Sequence, residues 1–308
     1  MEVMMIKNIR PNSLKQGDKV AIISPAGAIN SPEQLTRTMD IIKSKGYVPI
    51  LGSNATKSYF HNGYNFAGTD KERQEDLHWA FSNTEIKAVW ATRGGYGSVR
   101  IREAMLDIIS KKQHNKWYIG YSDNTYLSSM LFTHGNTQSI YGENIINGYS
   151  SPDSVYDRIF NILSGNIENY EIPSHKFNNN ANVEGIIVGG NASMIYSMLG
   201  TPDRYNFDNL ILYIEDVGEN HYAMDRILNS IKLSLKENIK AVIIGGMRLN
   251  NIDYDEISYN VANDVFSSVP KMFRFPNGHI VNNQPIIMGS RINLEINNNG
   301  NSLLKYST

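Results

Sequence analysis

The sequence predicts an α/β protein in two parts. An N-terminal, mostly parallel sheet domain with crossover helices precedes a smaller C-terminal α/β domain that ends in antiparallel strands. Three observations carry this. The first half alternates short apolar runs with helical periodicity, as strands joined by crossover helices do. A polar, aperiodic stretch at residues 176–182 (KFNNNAN) interrupts the chain, and a second apolar series follows it. Near the end, Arg291–Ile296 and Ser302–Tyr306 flank Asn299-Gly300, a strong hairpin signal. The 308 residues suffice for two cores. The expected division is 1–165 for the first domain, 166–182 for a linker and 183–308 for the second.

In chain order, residues 19–24 (KVAIIS) read as a buried strand ending in the turn Pro25-Ala26-Gly27. Ser31 then caps a helix, with Pro32 at its first position and Gln34 at the capping-box place. Leu35, Met39 and Ile42 follow at helical spacing, and Gly46 ends the helix. Further strands are expected at 47–51, 88–92 and 117–121. Ile101, Met105 and Ile108 or Ile109 mark a helix between the last two. The pattern weakens from Ser150 to Asn182. Beyond it, apolar runs at 185–188, 210–215 and 241–245 accompany helical stretches at 192–199, 223–235 and 257–266. No repeat of fixed period is present.

Composition removes several function classes. Hydrophobic residues make up 41% and charged ones 19%, a globular mixture rather than a disordered one. Lys plus Arg (29) nearly cancels Asp plus Glu (30), so no broad field draws the chain to nucleic acid or an anionic membrane. Without cysteine there are no disulfides, no thiol nucleophile and no cysteine metal site. The start carries Lys7, Arg10, Lys15 and Lys19 and no apolar core of a secretory signal. The longest uncharged stretch, 185–202, contains four glycines and is too polar and broken for a membrane helix. A cytoplasmic protein without metal or organic cofactor is expected.

Three places stand out chemically. A strand runs into Gly120-Tyr121-Ser122-Asp123-Asn124, and a helical pattern starts at once. A serine on such a turn projects its hydroxyl from the sheet's carboxyl edge, and the helix N-terminus offers free N–H groups to an oxyanion. The alternative is that Ser122 or Asp123 only caps the helix. Arg93-Gly94-Gly95-Tyr96-Gly97, also at a strand end, lets backbone approach a ligand closely, or is a plain turn. Its spacing does not fit a dinucleotide fingerprint. Finally, the apolar strand at 210–215 ends in Glu215-Asp216, and the turn Pro276-Asn277-Gly278 carries His279. A strand-end acid beside a loop histidine is what a serine relay needs. Spacing alone does not select this trio among the seven histidines.

Taken together, these segments resemble the LD-carboxypeptidases and the microcin C immunity peptidases. The resemblance runs in order through Gly17-Asp18-Lys19-Val20, Ser24-Pro25-Ala26-Gly27, Phe66-Ala67-Gly68-Thr69-Asp70 with Arg73, and Arg93-Gly94-Gly95-Tyr96-Gly97. It continues through Gly120-Tyr121-Ser122-Asp123, Gly189-Gly190-Asn191, Leu199-Gly200-Thr201, Glu215-Asp216-Val217-Gly218-Glu219 and Gly278-His279. It implies Ser122 as nucleophile, His279 as general base and Glu215 as its orienting carboxylate. It further implies an oxyanion hole from the N–H groups of Asp123 and Gly95, a triad assembled across two domains, and a homodimer. Tyr141-Gly142-Glu143-Asn144 departs from the family pattern, which usually has Gly-Pro after the nucleophile helix.

The reaction so implied is hydrolysis of the amide to the terminal D-alanine of a murein tetrapeptide. Arg93, with Gly94, is placed to hold the substrate carboxylate, unless it pairs with an acid such as Asp123. A microcin-immunity-like peptidase acting on aminoacyl or peptidyl sulfamoyl-adenylates is the competing reading. That branch stacks a loop tryptophan on adenine, whereas Trp79, Trp90 and Trp117 all fall in expected helices or strands. A non-catalytic binding module is the reading from another class.

Overall fold

The structure, a computed structural model, describes residues 9–146 and 152–307. Lys7 of the basic start and Ser150, where the pattern weakens, lie outside these residues. The first half lays down β1 (Lys19–Ile23), α1 (Pro32–Ser44), β2 (Val48–Leu51), a small hairpin of β3 (Tyr59–His61) and β4 (Tyr64–Phe66), and α2 (Asp70–Ser82). It continues with β5 (Ile86–Ala91), α3 (Arg102–Ser110), β6 (Trp117–Ile119), α4 (Thr125–Gly135), β7 (Ser139–Tyr141) and α5 (Val155–Ser164). The expected strand at β1 is there because Val20, Ala21, Ile22 and Ile23 are buried on both faces. That is the burial a central parallel strand demands.

Capping chemistry sets the helix starts. Ser31 Oγ accepts from Gln34 N at 3.3 Å and Pro32 opens α1, as read from sequence. Gln34 does not return the bond, so only half of the expected capping box forms. A complete one opens α2: Thr69 Oγ1 accepts from Glu72 N, and Glu72 Oε2 accepts from Thr69 N at 2.8 Å.

The second half comprises β8 (Tyr170–Ile172), β9 (Ala181–Asn191), α6 (Ala192–Met198), β10 (Leu210–Val217), α7 (His221–Leu235), β11 (Ile239–Arg248) and α8 (Glu256–Val265). It ends with β12 (Lys271–Phe273), β13 (Ile286–Met288), β14 (Arg291–Ile296) and β15 (Ser302–Tyr306). Among the described residues two large sheets form. One runs β13-β7-β6-β5-β1-β2, parallel except for β13. The other runs β12-β11-β10-β9-β14-β15-β8, with β9 to β12 parallel and the remaining strands antiparallel. The closing hairpin is as expected.

Two features differ from the linear reading. The segment expected as a linker, 166–182, carries β8, which pairs with β15, and enters β9 at Ala181. Its Asn178 is buried, donating to Asn297 O and accepting from Phe273 N. Three residues of strand are too short to show a period, and asparagines that serve backbone groups look like loop in a sequence. The chain also leaves the second sheet after β12 and returns to the first. There β13 pairs antiparallel with β7, Ile286 opposite Tyr141.

The halves share apolar packing: Met105, Leu127 and Met130 of α3 and α4 belong to one cluster with Ile195, Leu212 and Ile214. Among the described residues, no helix is long and apolar enough to cross a membrane. Beside this cluster, the fully buried Asp203 takes Arg102 Nε and Nη2 at 2.6 and 2.7 Å, Tyr126 Oη at 2.6 Å and His134 Nε2 at 2.8 Å. Burial pushes its carboxyl up, but these donors outweigh burial and hold it at about 2. Its stabilising contribution is therefore full above the ordinary carboxylate range near pH 4 and is lost as pH falls towards 2. Asp203→Ala leaves Arg102 Nε and Nη2, Tyr126 Oη and His134 Nε2 without their shared acceptor and should cost ~3 kcal/mol in urea unfolding at pH 7. The difference from the native chain should shrink at the acid end.

Candidate active site

Three strand ends of the first sheet converge. β1 leads into Pro25-Ala26-Gly27, β5 into Arg93-Gly94-Gly95, and β6 into Ser122 three residues past Ile119. Ser122 sits at φ 66°, in the left-handed region. That conformation costs a residue with a side chain ~1–3 kcal/mol and is kept only where surroundings enforce it. Here the Ser122 N–H donates to Tyr141 Oη at 3.1 Å, and Thr125 Oγ1 donates to the Ser122 carbonyl at 2.6 Å. Gly94 packs directly on the serine. A Cβ there would lie 2.8 Å from Ser122 Oγ, so only glycine leaves room for the hydroxyl. A short 3-10 turn, Ser122–Asn124, intervenes before α4, and neither Ser122 nor Asp123 caps the helix with its side chain.

The second sheet supplies the rest. Glu215 lies near the carboxyl end of β10, opposite Asn191 of β9, and is fully buried. His279 sits in the turn that carries the chain from β12 to β13 and is 6% exposed. Its Nε2 is 2.9 Å from Ser122 Oγ, and its Nδ1 is 2.7 Å from Glu215 Oε2. The His279 backbone N–H also donates to Glu215 Oε2, at 3.1 Å. Gly278, at φ 118°, lets the turn close on the carboxylate; a Cβ there would stand 2.8 Å from Oε2. The other oxygen, Oε1, accepts from Tyr141 Oη at 2.8 Å. Burial works against a charged His279, yet the carboxylate of Glu215 wins and raises its pKa above the ordinary histidine value. The structure thus brings together the three residues singled out in sequence, in hydrogen-bonding order.

The other expected site residues lie around them. Asp123 is 2% exposed, and its Oδ2 accepts from Ser98 N at 2.8 Å. Burial pushes its carboxyl up to about 6. No ion pair with Arg93 forms among the described residues; Arg93 Nη1 instead donates to Ala28 O at 2.9 Å. The N–H groups of Asp123 and Gly95 donate to no loop, turn or side-chain acceptor among the described residues. Among the same residues no group of three or more histidines and carboxylates is arranged to hold a metal ion.

Sequence reasoning did not find Tyr141, Thr125 or Asn277. Asn277 Nδ2 donates to Tyr141 O at 3.2 Å, tying the histidine turn to β7. Each is an ordinary polar residue at an element end, and its role exists only once the two sheets meet. Removing the Tyr141 hydroxyl leaves one oxygen of a buried carboxylate and the Ser122 N–H without partners. Tyr141→Phe should therefore fold, lower kcat ~10²-fold and leave KM little changed, as steady-state assays would show.

Known proteins resemble this chain across both halves. A family model described as the LD-carboxypeptidase N-terminal domain matches residues 20–142, and one described as the LD-carboxypeptidase C-terminal domain matches residues 184–294. A probable murein peptide carboxypeptidase of Bacillus subtilis is 32% identical over 74% of this chain and 72% of its own. The murein tetrapeptide carboxypeptidase of Pseudomonas aeruginosa is 29% identical over 91% of this chain and 94% of its own. Among solved structures, muramoyltetrapeptide carboxypeptidase from Oxalobacter formigenes superimposes with a TM-score of 0.77 at 25% identity, covering 94% of this chain and 99% of that one. The protein MccF in complex with glutamyl sulfamoyl guanosine gives 0.82 at 19% identity, over 97% and 99%, a likeness of fold alone.

Proposed function

The chain belongs to the LD-carboxypeptidase family of serine peptidases, and we propose that it releases the terminal D-alanine of a murein tetrapeptide through Ser122, His279 and Glu215. The observation that carries this reading is the relay from Ser122 Oγ to His279 Nε2 at 2.9 Å and from Nδ1 to Glu215 at 2.7 Å. Two of the relatives named above carry murein-peptide carboxypeptidase activity in their names.

Ser122 Oγ attacks the carbonyl carbon of the scissile amide while His279 Nε2 takes its proton. Glu215 holds the Nδ1 proton and steadies the imidazolium. The N–H groups of Asp123 and Gly95 receive the charge on the tetrahedral oxygen. The carbon–nitrogen bond then breaks, and His279 passes its proton to the departing amine of D-alanine. A water molecule, deprotonated by the same nitrogen, hydrolyses the acyl-enzyme and restores Ser122. Arg93 binds the terminal carboxylate over Gly94, supported by its half-buried place next in the chain to Gly94, which packs on the serine, and its lack of an ion-pair partner among the described residues.

The substrate choice is supported by the tryptophans. Trp90 and Trp117 are buried in strands, and Trp79 is half-buried on α2, so no described loop offers an indole to an adenine ring. The experiment is incubation of the protein, separately, with a murein tetrapeptide and an aminoacyl sulfamoyl-adenylate, followed by mass spectrometry. Loss of alanine from the first is expected; cleavage of the second alone would replace this reading with the nucleotide one. Ser122→Ala should lower kcat by ~10⁴–10⁶ while folding normally, and undiminished hydrolysis would remove the mechanism. Since His279 must be neutral to act as base and its pKa is raised, kcat/KM should climb with pH through a midpoint above about 6.5.

A further inference from the structure

Glu143 is a buried carboxyl that the mechanism above leaves unused. It lies two residues past β7 and is 1% exposed. Its carbonyl accepts from the indole N–H of Trp90 at 2.9 Å, so a fully buried ring fixes its backbone. Its Oε1 makes no well-formed hydrogen bond. Asn283, fully buried, faces it with an Nδ2 that also lacks one. A buried donor and acceptor left facing each other are costly unless they serve one another or a third group.

The neighbours of this carboxyl are two further supports of the His279 ring and turn. Tyr121 reaches it with its hydroxyl and packs its ring against His279, with centroids 5.0 Å apart. Asn283 accepts the Gly278 N–H at 3.0 Å and so holds the turn immediately before His279. The titratable groups facing Glu143 are Tyr121 after β6, His279 in the β12–β13 turn and Tyr156 of α5. Tyr156 is itself anchored to Asn144 O and Ile145 O.

We propose that Glu143 is a positioning residue for the reaction, holding the His279 ring through Tyr121 and the His279 turn through Asn283 in register with Ser122. This rests on the triad reading above. The two oxygens of Glu143 accept from Asn283 Nδ2 and from the Tyr121 hydroxyl, so one carboxyl serves both neighbours at once. Burial pushes its pKa up to about 8, so the neutral form prevails at neutral pH. Above that, ionisation sets a third negative charge near His279, beside those of Glu215 and Asp216. That charge favours the imidazolium over the neutral base, and the rate falls.

The test compares native protein, Glu143→Gln and Glu143→Ala, with circular dichroism for folding. Two rates are read: hydrolysis of the tetrapeptide, and covalent labelling of Ser122 by a fluorophosphonate, which reports the nucleophile whatever the substrate. Folded Glu143→Ala should label and turn over at least ~10-fold more slowly with KM little changed, whereas Glu143→Gln, a neutral mimic, stays within about threefold of native at pH 7. Native protein should lose rate above about pH 8, and Glu143→Gln should lack that fall. Native labelling rates in folded Glu143→Ala, or the same alkaline fall in Glu143→Gln, would overturn the inference. If Glu143→Ala does not fold, the pH profiles of the other two decide. If native protein labels but spares the tetrapeptide, the substrate reading fails while the labelling rates still decide on Glu143.

Discussion

The site depends on one hydroxyl. Tyr141 stands at the end of β7 in the first sheet, accepts the N–H of the strained serine and donates to the buried glutamate of the second sheet. Replace that oxygen and two halves of a relay lose their shared reference point. A buried carboxylate is costly unless its oxygens are served. Glu215 meets this with Tyr141 on one oxygen and His279, ring and backbone, on the other. The same bonds that make the carboxylate tolerable also set the histidine's tautomer and direction.

Strain and fit act together around this centre. Ser122 keeps a left-handed backbone because the Tyr141 and Thr125 bonds hold the peptide planes before and after it. Gly94 and Gly278 permit the close approaches that bring serine, histidine and carboxylate into line. Several carboxyls here have burial-raised pKa values: Asp123 at about 6, Asp216 at about 7 and Glu143 at about 8. A desolvated pocket of this kind strengthens every dipole aimed at a developing charge.

Much of this was legible in the amino-acid string. Continuous apolar runs such as 210–215 announced buried parallel strands, because a strand covered on both faces has no polar side. The closing hairpin announced itself through Asn299-Gly300. Ser122, Glu215 and His279 each stood at a strand end or glycine turn, yet local chemistry permitted capping as readily as catalysis. What was not legible is non-local. β8, β12 and β13 are three residues each and take their identity from partners far along the chain. Tyr141 and Asn277 are unremarkable until β13 docks beside β7, and the 166–182 segment looked like linker because asparagines bonded to backbone mimic loop chemistry.

The return of β13 to the first sheet also has a meaning in time. The histidine is translated 157 residues after the serine, which at ordinary ribosomal speeds is about 8–30 s. Until β13 follows, β7 is an open edge of the first sheet, and Ser122 Oγ lacks its His279 partner. The last strand of the first sheet in chain order is thus joined to the turn that carries His279. Completion of the sheet and closure of the His279–Ser122 contact draw on the same late stretch of chain.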